Sequence, residues 1–294
     1  MPTEDEFIKE ISRFFPPASS DLLVGPGDDT AIIQSPNPPT CQVLTTDVCI
    51  ENQHFYRSHS PLAIGHKILA RNISDFAAMA ATPRFALITI AIPKDLPVNF
   101  ASEIIRGISK TADQYDITIA GGETSRSSQE IFISIALFGD VAPERYILRS
   151  TAKPEDILLV TGTLGNSIQE KHLTFSPRLQ EAHWLAQNFL PTAMMDLSDG
   201  LASDLPRLAD ASNLGFSVNL DALPCSPGAT TQMALEDGED YELLFTISPD
   251  QLSPLLTAWK TVFPDLPLTP IGNMLASPST RTPLGSGFDH LKKP

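Results

Sequence analysis

The apolar positions of this chain change rhythm many times along its length. In the first half, runs rich in β-branched and aromatic residues at Thr30 to Gln34, Gln42 to Val48, Phe85 to Ile92 and Ile131 to Phe138 predict strands. Ile117 to Ala120 predicts a shorter one that enters Gly121-Gly122. Between them the spacing lengthens to that of helices. Thr3 and Glu6 form a capping-box pattern ahead of Phe7, Ile11 and Phe14 on one face. Ser60-Pro61 opens a long helix, with proline at its first position, that runs to about Ala81 and stops before Thr82-Pro83. Pro97 opens another, with Ile104, Ile105 and Ile108 on its buried side.

Ala142 to Pro154 is charged and proline-containing, and marks a boundary between an N-terminal domain, residues 1–141, and a C-terminal domain, residues 142–294. Beyond it, strands are predicted at Ile157 to Thr161, Ala193 to Met195, Phe216 to Leu220, Tyr241 to Ile247 and near Leu268 to Ile271. Helices are predicted near Pro177 to Asn188, from an N-cap at Ser198 or Asp199 to about Asn213 with Gly215 closing it, and from Pro249 to about Val262. Ala276 to Pro294 reads as an irregular tail. Strands and helices alternate in both halves, so the class is α/β or α+β.

Chemistry concentrates where apolar runs end. In M-M-D-L-S-D-G-L, Met194 to Leu201, two aspartates three apart sit where a buried strand turns into a helix. Such a corner suits a metal-bound phosphate. The helix end favours anions, and the carboxylates hold the accompanying cation. Comparable carboxylates occur in G-P-G-D-D-T-A from Gly25, L-T-T-D from Leu44, N-I-S-D-F-A-A-M-A-A from Asn72 and A-G-G-E-T from Ala120. Any one of these alone is a turn. Five in one short chain are harder to explain that way, and hard oxygen ligands select Mg²⁺ or Ca²⁺ over zinc.

Composition narrows the classes. A chain of 294 residues, 42% hydrophobic, has room for two cores. Its net charge of −15 argues against sequence-independent nucleic-acid binding, which needs clustered Lys and Arg. Cys41, Cys49 and Cys225 have neither disulfide-framework nor zinc spacing, which fits a reducing cytoplasm. The opening MPTEDEF has no apolar signal region, and no run is long enough to span a membrane, so no membrane partner is expected.

Taken in order, G-P-G-D-D-T-A, T-T-D-V-C-I-E-N-Q-H-F, N-I-S-D-F-A-A-M-A-A-T-P, G-G-E-T-S-R, R-S-T-A-K-P-E-D, V-T-G-T-L-G-N-S, M-D-L-S-D-G-L, G-E-D-Y-E-L-L-F-T and G-F-D-H resemble the thiamine-monophosphate kinase family over nearly the whole chain. That family lies within the aminoimidazole ribonucleotide synthetase superfamily. The resemblance implies a two-domain architecture in which the N-terminal domain pairs its sheet across a homodimer and a mixed α/β C-terminal domain covers the nucleotide. It implies transfer of the γ-phosphoryl group of ATP onto thiamine monophosphate, giving thiamine diphosphate, with several Mg²⁺ ions. By the same resemblance Asp28, Thr45, Thr46, Asp47, Asp75, Glu123, Asp196 and Asp199 would ligate metal. Gly122, Glu123, Arg149 and Ser198 would contact ATP. His54, Glu239 and Phe288 would hold the thiamine phosphate, with Phe288 stacking on a ring. Asp29 reads as a turn or supporting residue.

Two departures stand out. Glu123 replaces the family's usual aspartate, and the segment after Gly165-Asn166-Ser167 is short, with Gln169-Glu170-Lys171-His172 leading almost directly to Ser176-Pro177-Arg178. Two alternatives stay open: another ATP-using enzyme of the superfamily, or a non-catalytic nucleotide- or metal-binding homologue.

Overall fold

In a computed structural model that describes residues 3–35, 40–285 and 287–288, the chain builds two sheets. The first half contains α1 (Glu4–Ile11), β1 (Leu22–Val24), β2 (Ala31–Gln34), β3 (Cys41–Ile50), α2 (Pro61–Ala78), β4 (Thr82–Ile92), α3 (Val98–Gln114), β5 (Thr118–Arg126) and β6 (Phe132–Val141). Its six strands lie in the order β1-β2-β3-β6-β4-β5, all neighbours antiparallel except the parallel pair β4 and β5. The second half contains β7 (Ile157–Thr161), α4 (Leu179–Asn188), β8 (Ala193–Asp196), α5 (Leu201–Ala211), β9 (Gly215–Val218), α6 (Thr231–Glu236), β10 (Leu243–Ile247), α7 (Leu252–Val262) and β11 (Leu268–Leu275). Its five strands run β8-β10-β7-β11-β9, all antiparallel.

The capping box forms as its spacing predicts: Thr3 Oγ1 accepts from the Glu6 N–H, and Glu6 accepts from the Thr3 N–H at 2.9 Å. β5 is longer than expected. It runs through Gly121-Gly122 to Arg126, because β4 offers it an edge that the local sequence does not reveal. The cap of α5 is also displaced. Gly200, at φ 92°, precedes the helix and no side chain caps it, while the Asp199 N–H bonds Asp204 Oδ2 at 3.0 Å. Gly215 opens β9 instead of closing α5.

α2 is the central element. Most of its residues are buried, because it lies between the first sheet, α3 and α4. It approaches α3 so closely that a Cβ on Gly65 would fall 2.0 Å from Ile104 O, and one on Gly107 2.2 Å from Leu62 O. The main core joins the two halves: Ile68, Leu69 and Ile135 pack in the same cluster as Leu185, Met194 and Phe245.

Among the described residues, the opposite face of the first sheet has no such cover. Along it, paired positions on neighbouring strands leave Phe85 and Leu87 52% and 41% exposed, with Phe132 also open.

Candidate functional site

Strand alternation and helix periodicity bring the predicted carboxylates together. On β3, Thr45 and Asp47 face inward, opposite Leu137 and Ile135, which are fully buried. On α2, Lys67, Arg71, Ser74 and Asp75 repeat at helix spacing and share the face turned to the same crevice. Thr45 Oγ1 donates to Asp75 Oδ2 at 2.7 Å, and Arg71 pairs with Asp47 at 3.4 Å. From the second half, β8 ends on Asp196, whose Oδ2 accepts from Ser74 Oγ at 2.6 Å.

Asp29, Asp75 and Asp196 each offer an oxygen within 4.8 Å of the others. Asp29, which the sequence marks as a turn or supporting residue, has a fully enclosed side chain that grips the Arg149 guanidinium at 2.9 and 2.7 Å. The adjacent Asp28 accepts instead from the Arg149 backbone N–H.

These carboxylates strain against one another. Burial, then the charge of Asp29, pushes both Asp28 and Asp196 up to about 7, against the pull of Arg149. Asp75 is raised well above the ordinary range by burial and by Asp47, Asp196 and Asp29. For Arg149, burial opposes the charge, but Asp29 outweighs it and holds the guanidinium protonated. An all-oxygen set of buried carboxylates at this separation fits a hard divalent cation, whose charge would return them to their ionised form.

Other predicted residues lie apart from this corner. The inward turn of Thr45 and Asp47 sends Thr46 to the opposite face, where its hydroxyl meets Ser134 Oγ at 3.3 Å, so the corner can use only its backbone. Asp199 is paired with Arg207 at 2.5 Å. Gly122 aligns with Asp47 through Ile88 and Ile135 but is three strands away, about 14 Å. Glu123, one residue on, points to the open face. Within one chain, neither reaches the acidic corner.

Beside the corner is a cavity of about 140 Å³, lined among others by His54, Arg71, His172, Ser198, Glu239 and Phe288. It is built from the G-E-D-Y loop. Glu239 and Tyr241 adopt φ of 53° and 50°, a strained backbone held in place by N–H bonds to Ser198 O and Leu197 O. Lys67, fully buried, places its ammonium 2.6 Å from Glu239 Oε2, 2.6 Å from His54 O and 2.7 Å from His172 Nδ1. Burial alone would raise Glu239. The hydrogen bond with His172 and the charges of Lys67 and Arg71 overcome it and hold the carboxyl at about 2. His54 turns Nδ1 to the Ile50 N–H, and the Phe288 N–H bonds Asp199 O at 3.0 Å, anchoring that residue at the cavity. Asp289 and His290 of the G-F-D-H motif lie outside the described residues.

Sequence reasoning missed Lys67, Arg71 and His172. For the first two a signal was present: cations four apart, continuing to Asp75, on a largely apolar helix with no other Lys, Arg, Asp or Glu. For His172 there was none, since its place depends on packing of a short irregular segment.

Residues 27–141 match the family model for AIR synthase related protein, N-terminal domain, and residues 144–258 that for AIR synthase related protein, C-terminal domain. Thiamine-monophosphate kinase from Rhodopirellula baltica is 36% identical, with 86% of this chain and 84% of that protein covered. The enzyme of that name from Haemophilus influenzae is 31% identical, with 91% of each covered. Among solved structures, AaThiL complexed with AMPPCP and TMP superposes with a TM-score of 0.83 at 28% identity, covering 98% of this chain and 97% of that one.

Proposed function

Because the chain belongs to the thiamine-monophosphate kinase family, we propose that it transfers the γ-phosphoryl group of ATP onto the phosphate of thiamine monophosphate, giving thiamine diphosphate and ADP. The observation that carries this reading is the contiguity of the acidic corner and the enclosed cavity along one face of α2. Lys67, directly behind the cavity residues Glu239 and His172, and Asp75, in the corner, are eight residues apart, about 12 Å along the helix. A ligand with a heteroaromatic body and a phosphate arm spans such a pair of sites.

The acceptor is a phosphate oxygen, largely ionised near neutral pH because its second pKa is about 6, so no strong general base is required. The task is to hold two polyanions in line. Asp28, Asp29, Asp75 and Asp196, with Thr45 and Asp47 beside them, would hold Mg²⁺, which when bound neutralises charge between the two phosphate groups. Arg149 orients Asp28 and Asp29 through its backbone N–H and its guanidinium, and it and Ser198 would meet the nucleotide phosphates. Asp199 would join a further ion by exchanging Arg207 for it. His54, Glu239 and Phe288 would enclose the thiamine body.

We assign residues 1–141 and 142–294 to two domains and the protein to the cytoplasm; no helix among the described residues is long and apolar enough to cross a membrane. The open sheet face bearing Phe85, Leu87 and Phe132 supports a homodimer that buries it. Gly122 and Glu123 lie on the edge strand of that sheet, so any contact they make with a nucleotide would be made across the pair. The test is a phosphoryl-transfer assay with ATP, Mg²⁺ and thiamine monophosphate. Production of thiamine diphosphate is expected. ATP binding without product would favour the non-catalytic alternative, and turnover only with other acceptors would favour a different enzyme of the superfamily.

A further inference from the structure

One polar atom of the cavity is not used by any of the roles above. His172 belongs to a short 3-10 helix, Lys171–Leu173, and is buried. It is among the residues that line the cavity, with its ring edge-to-face against His59, another of them, at 5.8 Å. Nδ1 lies 2.7 Å from Lys67 Nζ and 2.9 Å from Glu239 Oε2, whereas Nε2, shielded from water, has no hydrogen-bond partner among the described residues. A buried, unmatched imidazole nitrogen costs stability and calls for a reason.

The ring is held from several sides. Lys171 Nζ bonds Thr163 O and Glu242 Oε1, both at 3.0 Å. Phe175, three residues past His172, stacks on Tyr241 with centroids 4.0 Å apart, and its carbonyl is 2.8 Å from His66 Nε2. The segment that positions His172 is the short stretch in which this chain departs from its family's pattern.

Between an ammonium and a carboxylate, Nδ1 can accept from Lys67 or donate to Glu239. Nε2 can therefore present either an N–H or a lone pair without any movement of the ring. His172 also sits at the Lys67 end of the cavity, remote from the carboxylates that would face phosphate. A ligand that extends its phosphate to the corner brings its opposite end here. In thiamine monophosphate that end is an aminopyrimidine, which offers both amino donors and ring-nitrogen acceptors; the thiazolium offers no N–H.

We propose that His172 is a specificity-determining residue that hydrogen-bonds the aminopyrimidine ring of thiamine monophosphate through Nε2, with Lys67 and Glu239 holding Nδ1. This rests on the kinase reading above and deepens it.

The test compares wild type with His172→Phe, which keeps a ring and loses both nitrogens, and His172→Gln, which keeps a polar group. In His172→Phe the KM for thiamine monophosphate should rise roughly tenfold, more than kcat falls, while the KM for ATP stays within about threefold. His172→Gln should recover part of the loss. A second probe is 4-methyl-5-(2-phosphooxyethyl)thiazole, which lacks the pyrimidine; as a competitor it should inhibit wild type and both variants alike. A folded His172→Phe with unchanged KM for thiamine monophosphate overturns the proposal, as does a parallel loss of inhibition by the thiazole phosphate, which would mean a deformed cavity. If His172→Phe does not fold, the same two measurements on His172→Gln decide. Wild-type protein that makes no thiamine diphosphate sinks the kinase reading together with this one; wild-type turnover with variants that match it sinks the His172 contact alone.

Discussion

Around Asp75 and Asp196 carboxylates face carboxylates, whereas around Lys67 each charge faces its opposite. In the first region burial and like charge raise Asp28 and Asp196 to about 7. In the second, burial also works against the Glu239 carboxylate, yet the hydrogen bond with His172 and the charges of Lys67 and Arg71 hold it at about 2. The same helix supplies both regions, and what differs most between them is the charge of the partners. A site that must take up cations is built with unbalanced charge, and a site that must grip an organic body is balanced in advance.

The sharpest way to break this contrast is Lys67→Met. Removing the ammonium leaves Glu239 in the wall without its shortest ion pair, and unfolding should become easier by about 3–5 kcal/mol. Denaturant titration that shows wild-type stability would mean the cavity charges are not balanced as described. Asp75→Asn should do the reverse. It relieves repulsion, so its melting temperature in EDTA should exceed wild type, while kcat falls by roughly two decades or more through loss of a charged ligand. Loss of both stability and activity would make Asp75 a structural residue.

Mg²⁺ itself sharpens the comparison. At about a hundred times its dissociation constant it should stabilise wild type by roughly 2.7 kcal/mol, and this gain should shrink in Asp196→Asn but persist in His54→Ala. Equal responses of the two variants in a thermal-shift titration would place the cation elsewhere. Acid gives a smaller readout. Since Glu239 titrates at about 2 when folded and near its ordinary 4.5 when unfolded, its contribution is complete above about 4.5 and disappears as pH falls toward 2. Glu239→Gln should therefore lose stability most at neutral pH and converge on wild type near pH 2. The least stability effect is expected from Glu123→Gln, on the exposed strand β5, with a melting temperature within about 1 °C of wild type. Should its turnover nonetheless drop, mixing it with Asp75→Asn would restore about a quarter of wild-type activity if the contact crosses a dimer.

Local rules carried much of this architecture. The alternation in T-T-D puts Thr45 and Asp47 on one face, and the 3.6-residue repeat puts Asp75 on the face of Lys67 and Arg71; both groupings can be read from spacing, whereas their meeting, Thr45 Oγ1 on Asp75 Oδ2, comes from packing. The alternation also sends Thr46 away, a consequence that motif matching passes over. Asp29 reads as a turn or supporting residue because Asp-Asp pairs usually make turns, and only Arg149, 120 residues later, draws it into the corner. β5 was cut short because Gly121-Gly122 resembles a loop until a neighbouring edge supplies its hydrogen bonds. His172 had no local mark at all.

The glycine contact between α2 and α3 has a consequence for what such a chain can evolve to accept. With Gly65 against Ile104 and Gly107 against Leu62, the helix has no room to slide or turn. Its spacing between Lys67 and Asp75 can change only in whole residues, and a single insertion would rotate one end by about 100° away from its partners. With the acceptor spanning both sites as proposed, acceptors of other lengths would be filtered by a ruler with one coarse graduation, and variation in reach would be left to the loops at its ends, the G-E-D-Y turn and the short stretch around His172.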